Sequence, residues 1–285
     1  MDTTLRPGRH ADAEICGTIC YEAFTAIANQ HNFPPDFPAP EVAVDFLRML
    51  LAHPGFYSVV AEAEGRIVGS NFLDERSTIA GIGPITVTPT LQNSGIGRRL
   101  MQALLERVAQ RHFPGVRLVQ AAYHSRSLSL YAALGFTIRE PLALMQGTPL
   151  QTTLPGYAVR QATADDLAAC NHVCIRVHGH DRSGELREAI DQGTATVVEH
   201  DGRLTGYATA IGFFAHAVGE SNAELQALIG AAPVYQDPGF LLPTRNTALF
   251  RWCLAQRLRM VQSMTLMSMG LYNEPAGACL PSILY

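Results

Sequence analysis

Apolar and polar positions follow helix and strand periods in two successive stretches of this chain. In the first stretch, the pattern predicts helices over residues 11–29, 40–51, 95–111 and 127–134, strands over 57–62, 67–73, 83–88 and 117–122, and a last strand after Phe136. In the second, it predicts helices over 165–178 and 247–257 and strands over 195–199, 204–212 and 263–271. Residues 146–155 are polar, carry two prolines and lack a period, which is typical of a linker.

The segment ITVTPTLQNSGIGRRL, residues 85–100, carries the strongest chemical signal. A β-branched run ends at Pro89, and a Gln-x-x-Gly-x-Gly loop then precedes a helix. Glycines in such a turn let backbone amides approach a ligand closely, and the helix dipole favours anions at its N-terminus. The segment therefore predicts a phosphate-binding loop, with a purely structural turn as the alternative interpretation.

A second segment, HSRSLSLYAALGF at residues 124–136, lies about thirty residues further on. It predicts a short helix with Leu128, Tyr131 and Leu134 on one face. Gly135 ends this helix, and Phe136 starts a new strand.

Together, the two segments resemble the GNAT superfamily of acyl-CoA N-acyltransferases. The family's first pattern is matched by Val87, Pro89, Gln92, Gly95 and Gly97, and its second by Ser127, Leu130, Tyr131, Gly135 and Phe136. His124 stands where the family often has Asn. The resemblance covers residues 1–148 and implies an α/β (α+β) fold with a mixed central sheet flanked by helices.

The resemblance also implies an activity, a coenzyme and the residues that serve them. The activity is transfer of an acetyl group from acetyl-CoA to an amine by direct attack, with Tyr131 as general acid; core filling is the alternative role of this side chain. Amides of the strand would orient the pantetheine arm, and amides of the loop would take the pyrophosphate. The implied coenzyme A contacts are Ile85, Thr86, Val87, Gln92, Asn93, Ser94, Gly95, Ile96, Gly97, Arg98, Ser127 and Tyr131.

The general base is less clearly indicated by the sequence. Asp74, Glu75 and His124 each fall near the end of a strand that borders the predicted cleft, so each is a candidate to accept the ammonium proton directly or through water. The two carboxylates fit a solvated strand end equally well. His124 fits a cap for the helix that follows.

An internal duplication appears when the chain is shifted by 154 residues. This shift pairs Arg6 with Arg160 and Asp12 with Asp166, and it pairs Cys16 and Cys20 with Cys170 and Cys174. The segments VVAEAEGRIVG, residues 59–69, and VVEHDGRLTG, residues 197–206, both predict a hairpin. The second half therefore predicts a second, degenerate GNAT-type fold.

The phosphate loop is missing from this second copy. Pairing Pro89 and Leu100 with Pro243 and Leu249 leaves no room for the Gln-x-x-Gly-x-Gly segment. We therefore predict a catalytic domain over residues 1–148, a linker over 149–156, and a degenerate domain without a pyrophosphate loop over 157–285.

Composition narrows the classes of function. The chain has no lysine, which excludes a Walker-type phosphate loop and a pyridoxal phosphate Schiff base. The net charge of −4 is not concentrated in blocks, which gives no reason to expect nucleic acid or an anionic membrane as partner. No apolar run is long enough to span a membrane, and no hydrophobic signal core opens the sequence, so a cytoplasmic location is expected.

No metal site is expected, although Cys170, Cys174 and His178 share one helix stripe. Phe24 takes the place of His178 in the first copy, and this favours a core face.

Three functions stay open at this stage. The first is an N-acetyltransferase for a small-molecule or peptide amine, with homodimer formation undecided. The second is a non-catalytic acyl-CoA sensor or interaction protein. The third is a dinucleotide enzyme, which the missing third glycine after Gly97 disfavours. The connection QHNFPPDFPAP, residues 30–40, is stiff and apolar and suggests a partly hydrophobic acceptor or a structural lid contact.

Overall fold

The computed structural model describes residues 3–236 and 238–284, which divide by their contacts into two compact units. Unit 1 comprises the described residues up to 118, together with 123–135 and 284. Unit 2 comprises 119–122 and the described residues of 136–283. Residues 136–148 thus group with unit 2 by contacts, whereas the predicted functional boundaries at 148 and 157 stay predictions.

Unit 1 contains five strands and four α-helices among its described residues. Its strands are β1 (Thr3–Pro7), β2 (Phe56–Ala63), β3 (Arg66–Asp74), β4 (Ala80–Val87) and β5 (Gly115–Ala121), of which β5 continues into unit 2. Its helices are α1 (Ala13–Gln30), α2 (Pro40–Ala52), α3 (Ile96–Gln110) and α4 (Ser125–Ala133).

The strands of unit 1 form a mixed sheet in the order β1-β2-β3-β4-β5. Strands β1 to β4 pair antiparallel with one another, and β5 pairs parallel with β4. A tight turn joins β2 to β3, with Glu64 and Gly65 both at positive φ. Apolar side chains of α1, α2 and the sheet make a common core that includes Cys16, Leu47 and Phe72, all fully buried. The predicted fold class is confirmed.

Unit 2 contains the remaining elements. Its strands are β6 (Thr137–Gln146), β7 (Tyr157–Gln161), β8 (Thr196–His200), β9 (Arg203–Ala208), β10 (Ala217–Gly219), β11 (Phe240–Pro243), β12 (Arg259–Gly270) and β13 (Ala278–Leu280). Its helices are α5 (Leu167–His178), α6 (Ser183–Asp191), α7 (Asn222–Ala231) and α8 (Thr247–Ala255).

Two groups of strands organise unit 2. One sheet has the order β13-β10-β9-β8-β7, with β8 and β9 joined by a turn at Asp201 and Gly202 that repeats the β2–β3 turn. In the other group, β6 pairs with β12 on one side and β11 on the other. Ala122, which follows β5, donates its amide to the Ser263 carbonyl of β12 at 3.0 Å.

The same ion pair occurs at the start of both copies. Arg6 binds Asp12 at 2.7 Å and Glu62 at 2.8 Å, and Arg160 binds Asp166 at 2.7 Å and Glu199 at 2.6 Å. In each copy the arginine lies on the first strand, one acid precedes the first helix, and the other acid lies on the second strand. Hydrogen bonds from these arginines hold the pKa values of Asp12 and Asp166 below their usual range.

One predicted correspondence between the copies is wrong. The strand that pairs with β9 is β10, and it leads directly into α7, so α7 rather than α8 takes the place of α3. Helix α8 lies between β11 and β12 along the chain, as α4 lies between β5 and β6, so α8 corresponds to α4. Pro243 and Leu249 therefore do not correspond to Pro89 and Leu100. The connection that replaces the phosphate loop is Glu220–Ser221.

Cys170 and Cys174 are fully buried in an apolar cluster of α5, α6 and the sheet. Among residues 3–236 and 238–284, no group of three or more His, Cys, Asp or Glu side chains is arranged to hold a metal ion. Within the same residues, no helix combines the length and apolar character needed to cross a membrane.

Candidate active site

Strands β4 and β5 pair over a short distance and then separate. In the described part of the chain, their parallel pairing covers Ala80 with Val116 and Gly81 with Arg117. Beyond Gly81, β4 stays paired with β3 as far as Val87. The flank of β4 that faces away from β3 is thus open over its second half, which leaves backbone groups available to a ligand.

The direction of the β4 amides follows from one hydrogen bond. The Thr88 amide donates to the Val68 carbonyl of β3 at 2.9 Å. Because alternate residues of a strand point their backbone groups to the same side, Thr86 also faces β3, whereas Ile85 and Val87 face the open flank. Of the three predicted contacts on this strand, the amides of Ile85 and Val87 therefore face the open flank, and the Thr86 amide faces β3.

The loop after β4 ends at a helix whose N-terminus is open. Gly95 precedes α3 with φ of +88°, a conformation that glycine adopts without strain. No side chain caps this helix. Within the described residues, the amides of Gly95, Ile96, Gly97 and Arg98 have no hydrogen-bond acceptor. These amides and the exposed Arg98 and Arg99 make a site for an anion.

The glycine at position 97 is not required by packing. A Cβ built there would meet Leu130 Cδ2 of α4 at 3.7 Å and Val87 Cγ2 at 4.0 Å, both ordinary contacts. Glycine inside a helix costs about 1 kcal/mol relative to alanine. Since the protein itself has room for a side chain, a close ligand accounts for this glycine better than packing does.

Side chains hold the loop in place. Gln92 Nε2 donates to the Val87 carbonyl at 3.1 Å on the open flank of β4. Arg126 of α4 donates to the side-chain oxygens of Gln92 and Asn93. Ser94 Oγ donates to the Leu91 carbonyl at 2.6 Å. The loop thus has a defined shape, and its polar side chains are used mainly to maintain it.

Helix α4 brings His124, Ser127 and Tyr131 together. His124 Nδ1 accepts a hydrogen bond from the Ser127 amide at 3.0 Å and caps the helix. Tyr131 is the buried residue of α4, and its hydroxyl interacts with the Ser127 side chain. Burial raises the pKa of Tyr131 to about 12, so the phenol keeps its proton at neutral pH.

The predicted bases are each engaged in other contacts. Glu75 accepts hydrogen bonds from Arg107 at 2.8 and 3.0 Å, and Asp74 accepts from Arg76. The hydrogen bond to Glu75 raises the pKa of Arg107. Burial lowers the pKa of His124, and its Nδ1 lone pair is used by the helix cap. Asp74, Glu75 and His124 all lie in unit 1.

Sequence reasoning missed two polar residues of unit 1. Tyr123 directly follows Ala122 after β5, and Asp36 lies in the connection between α1 and α2. The signal for Asp36 was present, because it is the single acid in the apolar segment of residues 30–40. The role of Tyr123 depends on a long-range contact with this connection, which periodicity does not reveal.

The corresponding helix end in unit 2 is closed. Ser221 caps α7 by accepting from the Ala223 amide at 3.2 Å, and Glu224 Oε2 accepts from the Ser221 amide at 2.8 Å. This capping box uses helix N–H groups that remain open at α3, and it places a carboxylate where α3 has arginines.

Comparison with protein-family models gives a match in the first half of the chain. The model of the acetyltransferase (GNAT) family matches residues 21–136. No match was found among curated proteins. The family match supports acyl transfer as the general class of activity.

Solved structures share the fold over nearly the whole chain. A putative acetyltransferase from Pyrococcus horikoshii has a TM-score of 0.73 at 18% identity, covering 97% of this chain and 94% of its own. A GCN5-related N-acetyltransferase from Sphaerobacter thermophilus has 0.62 at 16%, covering 95% and 96%. A tandem GNAT protein from the clavulanic acid biosynthesis pathway has 0.54 at 16%, covering 94% and 98%. The predicted membership is therefore confirmed: this chain carries a GNAT family domain at residues 21–136 and has the fold of a tandem GNAT protein.

Proposed function

We propose that unit 1 transfers an acetyl group from acetyl-CoA to the nitrogen of a small-molecule or peptide amine. The observation that supports this most is the row of free backbone donors from Ile85 and Val87 to the N-terminus of α3. A glycine at position 97 that packing does not require lies within this row. Bound acetyl-CoA would supply an acyl thioester, whose carbonyl carbon is open to attack by an amine.

Different residues of unit 1 would bind different parts of acetyl-CoA. The open amides of β4 suit the peptide-like groups of a pantetheine arm, because those groups need hydrogen-bond partners when water is excluded. The amides from Asn93 to Arg98 suit a pyrophosphate, and Gln92 keeps the loop in shape through the Val87 carbonyl. Ser127 remains a proposed coenzyme contact, and its side chain also interacts with the Tyr131 hydroxyl.

Tyr131 is proposed as the general acid. Its raised pKa keeps the hydroxyl protonated at neutral pH, so that a proton is available to the departing thiolate as the acyl–sulfur bond breaks. Glu75 and His124 remain proposed acceptors for the ammonium proton. Their contacts with Arg107 and Ser127 favour proton transfer through water over direct contact.

The decisive assay follows thiol release from acetyl-CoA by the full chain. An amine panel with an arylalkylamine, a polyamine, an amino acid and a peptide with a free N-terminus should include an acceptor that accelerates release, with the acetylated amine identified by mass. The Gly97→Val variant should be inactive on the same panel. Tight acetyl-CoA binding without amine-dependent release would instead favour the non-catalytic sensor.

We also propose a cytoplasmic location, no nucleic-acid or membrane partner, and a degenerate second domain that holds no coenzyme.

A further inference from the structure

The connection between α1 and α2 is anchored to the core of unit 1 by one aromatic residue. Phe37 is buried, and its ring stacks on Phe24 at 6.2 Å between centroids and contacts Phe46 at 5.9 Å. Prolines at positions 34, 35, 38 and 40 restrict the backbone on both sides. Asp36, which directly precedes Phe37, is therefore held in a defined position.

Tyr123 meets the same connection from the carboxyl end of β5. Its ring stacks on Phe33 at 4.4 Å with an interplanar angle of 15°, and the ring of His31 lies 5.1 Å away. The Tyr123 hydroxyl is buried and has no hydrogen-bond partner in the described part of the chain. Because a buried hydroxyl without a partner is unfavourable, a ligand that supplies one would be stabilised there.

Asp36 differs from four other acids of unit 1. Asp12, Asp45, Asp74 and Glu75 all form ion pairs with arginines. Over residues 3–236 and 238–284, no hydrogen-bond donor or cation pairs with the half-buried Asp36 carboxylate, and burial alone shifts its pKa. A carboxylate that is partly removed from water and lacks a cation has the electrostatic complement of an ammonium group.

The surroundings of Asp36 favour proton acceptance. Burial raises the pKa of Asp36 to about 6, which makes this carboxylate a better base than a solvated one. Burial and the charge of Asp36 raise the pKa of Tyr123 to about 12, so the phenol stays neutral. The other titratable groups near this pair are His31, the buried Cys20 thiol of α1, whose pKa burial and Asp36 raise, and His124, which follows Tyr123 and whose pKa burial lowers.

Tyr123 also lies at the correct end of the sheet. Because β4 and β5 are parallel, the carboxyl end of β5 lies at the same edge as the part of β4 with the open flank. The pair of Asp36 and Tyr123 thus belongs to the edge at which the acyl group is proposed to be held.

We propose that Asp36 and Tyr123 form the acceptor-ammonium subsite of unit 1, with Phe33 and the Tyr123 ring contacting an apolar or aromatic part of the amine. This assignment rests on the amine acetylation proposed above. It names the acceptor class as a primary amine with a neutral, apolar body. An amino acid would be disfavoured, since its carboxylate would lie close to Asp36.

The proton balance of this assignment is simple. Asp36, in place of Glu75 or His124, takes one proton from the bound ammonium, and the freed nitrogen lone pair forms the new N–C bond as the C–S bond breaks. Tyr131 gives a proton to the thiolate, and the second proton that the nitrogen loses returns to Tyr131 through water. Overall, an ammonium and a thioester become an amide, a thiol and one released proton. Asp36 then returns its proton to solvent.

Binding measured without turnover tests the subsite on its own. The full chain, saturated with coenzyme A, is titrated calorimetrically with 2-phenylethylamine, with 2-phenylethanol as the ligand that lacks the ammonium and phenylalanine as the ligand that adds a carboxylate. The amine should bind at least about 10-fold more tightly than either. Asp36→Asn should weaken amine binding by about 10- to 100-fold, and Tyr123→Phe by about 3- to 10-fold.

Asp45→Asn is the matched control, because Asp45 is an exposed acid on the neighbouring helix α2. It should leave amine binding unchanged, and all three variants should bind acetyl-CoA as the wild type does. Once an amine that the protein acetylates is identified, its kcat/KM should rise with pH through about 6 in the wild type. The Asp36→Asn variant should not show this rise.

The outcomes separate the two proposals. Amine binding that depends on Asp36, without an acetylated product, would keep the subsite and overturn the acetyltransferase function. Acetylation that is unaffected by Asp36→Asn and Tyr123→Phe would keep the function and overturn the subsite. Equal binding of 2-phenylethylamine and 2-phenylethanol would also overturn the subsite.

Discussion

The N-termini of α3 and α7 occupy the same position in the two copies and have opposite chemistry. At α3, Gly95 leaves the first helical amides without side-chain caps, and Arg98 and Arg99 add positive charge. At α7, Ser221 and Glu224 accept hydrogen bonds from the amides and add negative charge. The first end suits a phosphate group, whereas the second has its own carboxylate in that place.

A second difference concerns the connection between the first two helices of each copy. In unit 1, Asp36 lies in this connection without an ion pair among the described residues. In unit 2, the corresponding region is a buried network in which Arg182 binds Glu185 and the His216 ring lies 3.6 Å from Glu185. Under the proposals above, the second copy shares the fold but has its own side chains in both of the places where unit 1 would bind a ligand.

The largest expected effect is at position 97. Gly97→Val should weaken acetyl-CoA binding by about 100-fold or more, because the new side chain displaces a ligand that accepts several hydrogen bonds from the helix end. Isothermal titration calorimetry measures this. Gln102→Val places the same residue on the exposed face of α3 and should not change the affinity. A folded Gly97→Val protein with wild-type affinity would contradict the phosphate-binding assignment.

Tyr131→Phe should lower kcat by about 100-fold while leaving the affinity for acetyl-CoA nearly unchanged, because it removes a proton donor and keeps the ring. Tyr235→Phe is the matched control in unit 2. Burial likewise raises the pKa of Tyr235 to about 12, and its hydroxyl donates to the Ile229 carbonyl at 3.2 Å. A wild-type kcat for Tyr131→Phe would assign thiolate protonation to water.

The buried network of unit 2 should make its stability sensitive to acid. Burial, with Arg182 and His180 nearby, lowers the pKa of His216 well below its usual value. Because the unfolded chain binds this proton below about pH 6.5 and the folded chain does not, the free energy of unfolding should fall by up to about 1.4 kcal/mol per pH unit below that value.

His216→Gln should remove this part of the pH dependence. Urea unfolding at pH 7, 6 and 5 compares the two proteins, and the slope of the variant should be shallower between pH 6 and 5. Equal slopes would show that His216 is protonated in the folded protein.

The smallest effect is expected at the closed helix end. Ser221→Ala should destabilise unit 2 by about 1 kcal/mol through loss of the cap, with no change in acetyl-CoA affinity. Denaturant unfolding and calorimetry measure the two quantities. A change in coenzyme affinity would show that this helix end takes part in binding.

Local patterns predicted much of unit 1. Helix α3 was predicted at 95–111 and spans Ile96–Gln110, because its apolar period and the preceding glycines are local signals. Helix α7 was missed although Ser221 and Glu224 form a capping box, since its nearly continuous apolar sequence hides the helical period. The pairing of β6 with β11 and β12 was not predicted, because such contacts join residues far apart in the chain.

The candidate site also contains some residues that local sequence patterns predict and others that they do not. The loop from Gln92 to Gly97 is predictable from the sequence because its proposed phosphate-binding role depends on glycines and on the helix that follows. The capping role of His124 was one of the two interpretations offered, and the structure places its Nδ1 in that cap. Asp36 is the single acid of residues 30–40, but its burial and the packing of Tyr123 on Phe33 depend on long-range contacts that local patterns do not reveal.

The stoichiometry of acetyl-CoA binding tests the central claim most directly. Equilibrium titration of the full chain should give one acetyl-CoA per chain, because α3 presents an open helix end and the capping box closes that of α7. At concentrations that saturate the wild type, Gly97→Val should bind little acetyl-CoA, because its affinity is expected to be weaker by about 100-fold or more. Two molecules per chain in the wild type, or wild-type occupancy of Gly97→Val at the same concentrations, would contradict the account.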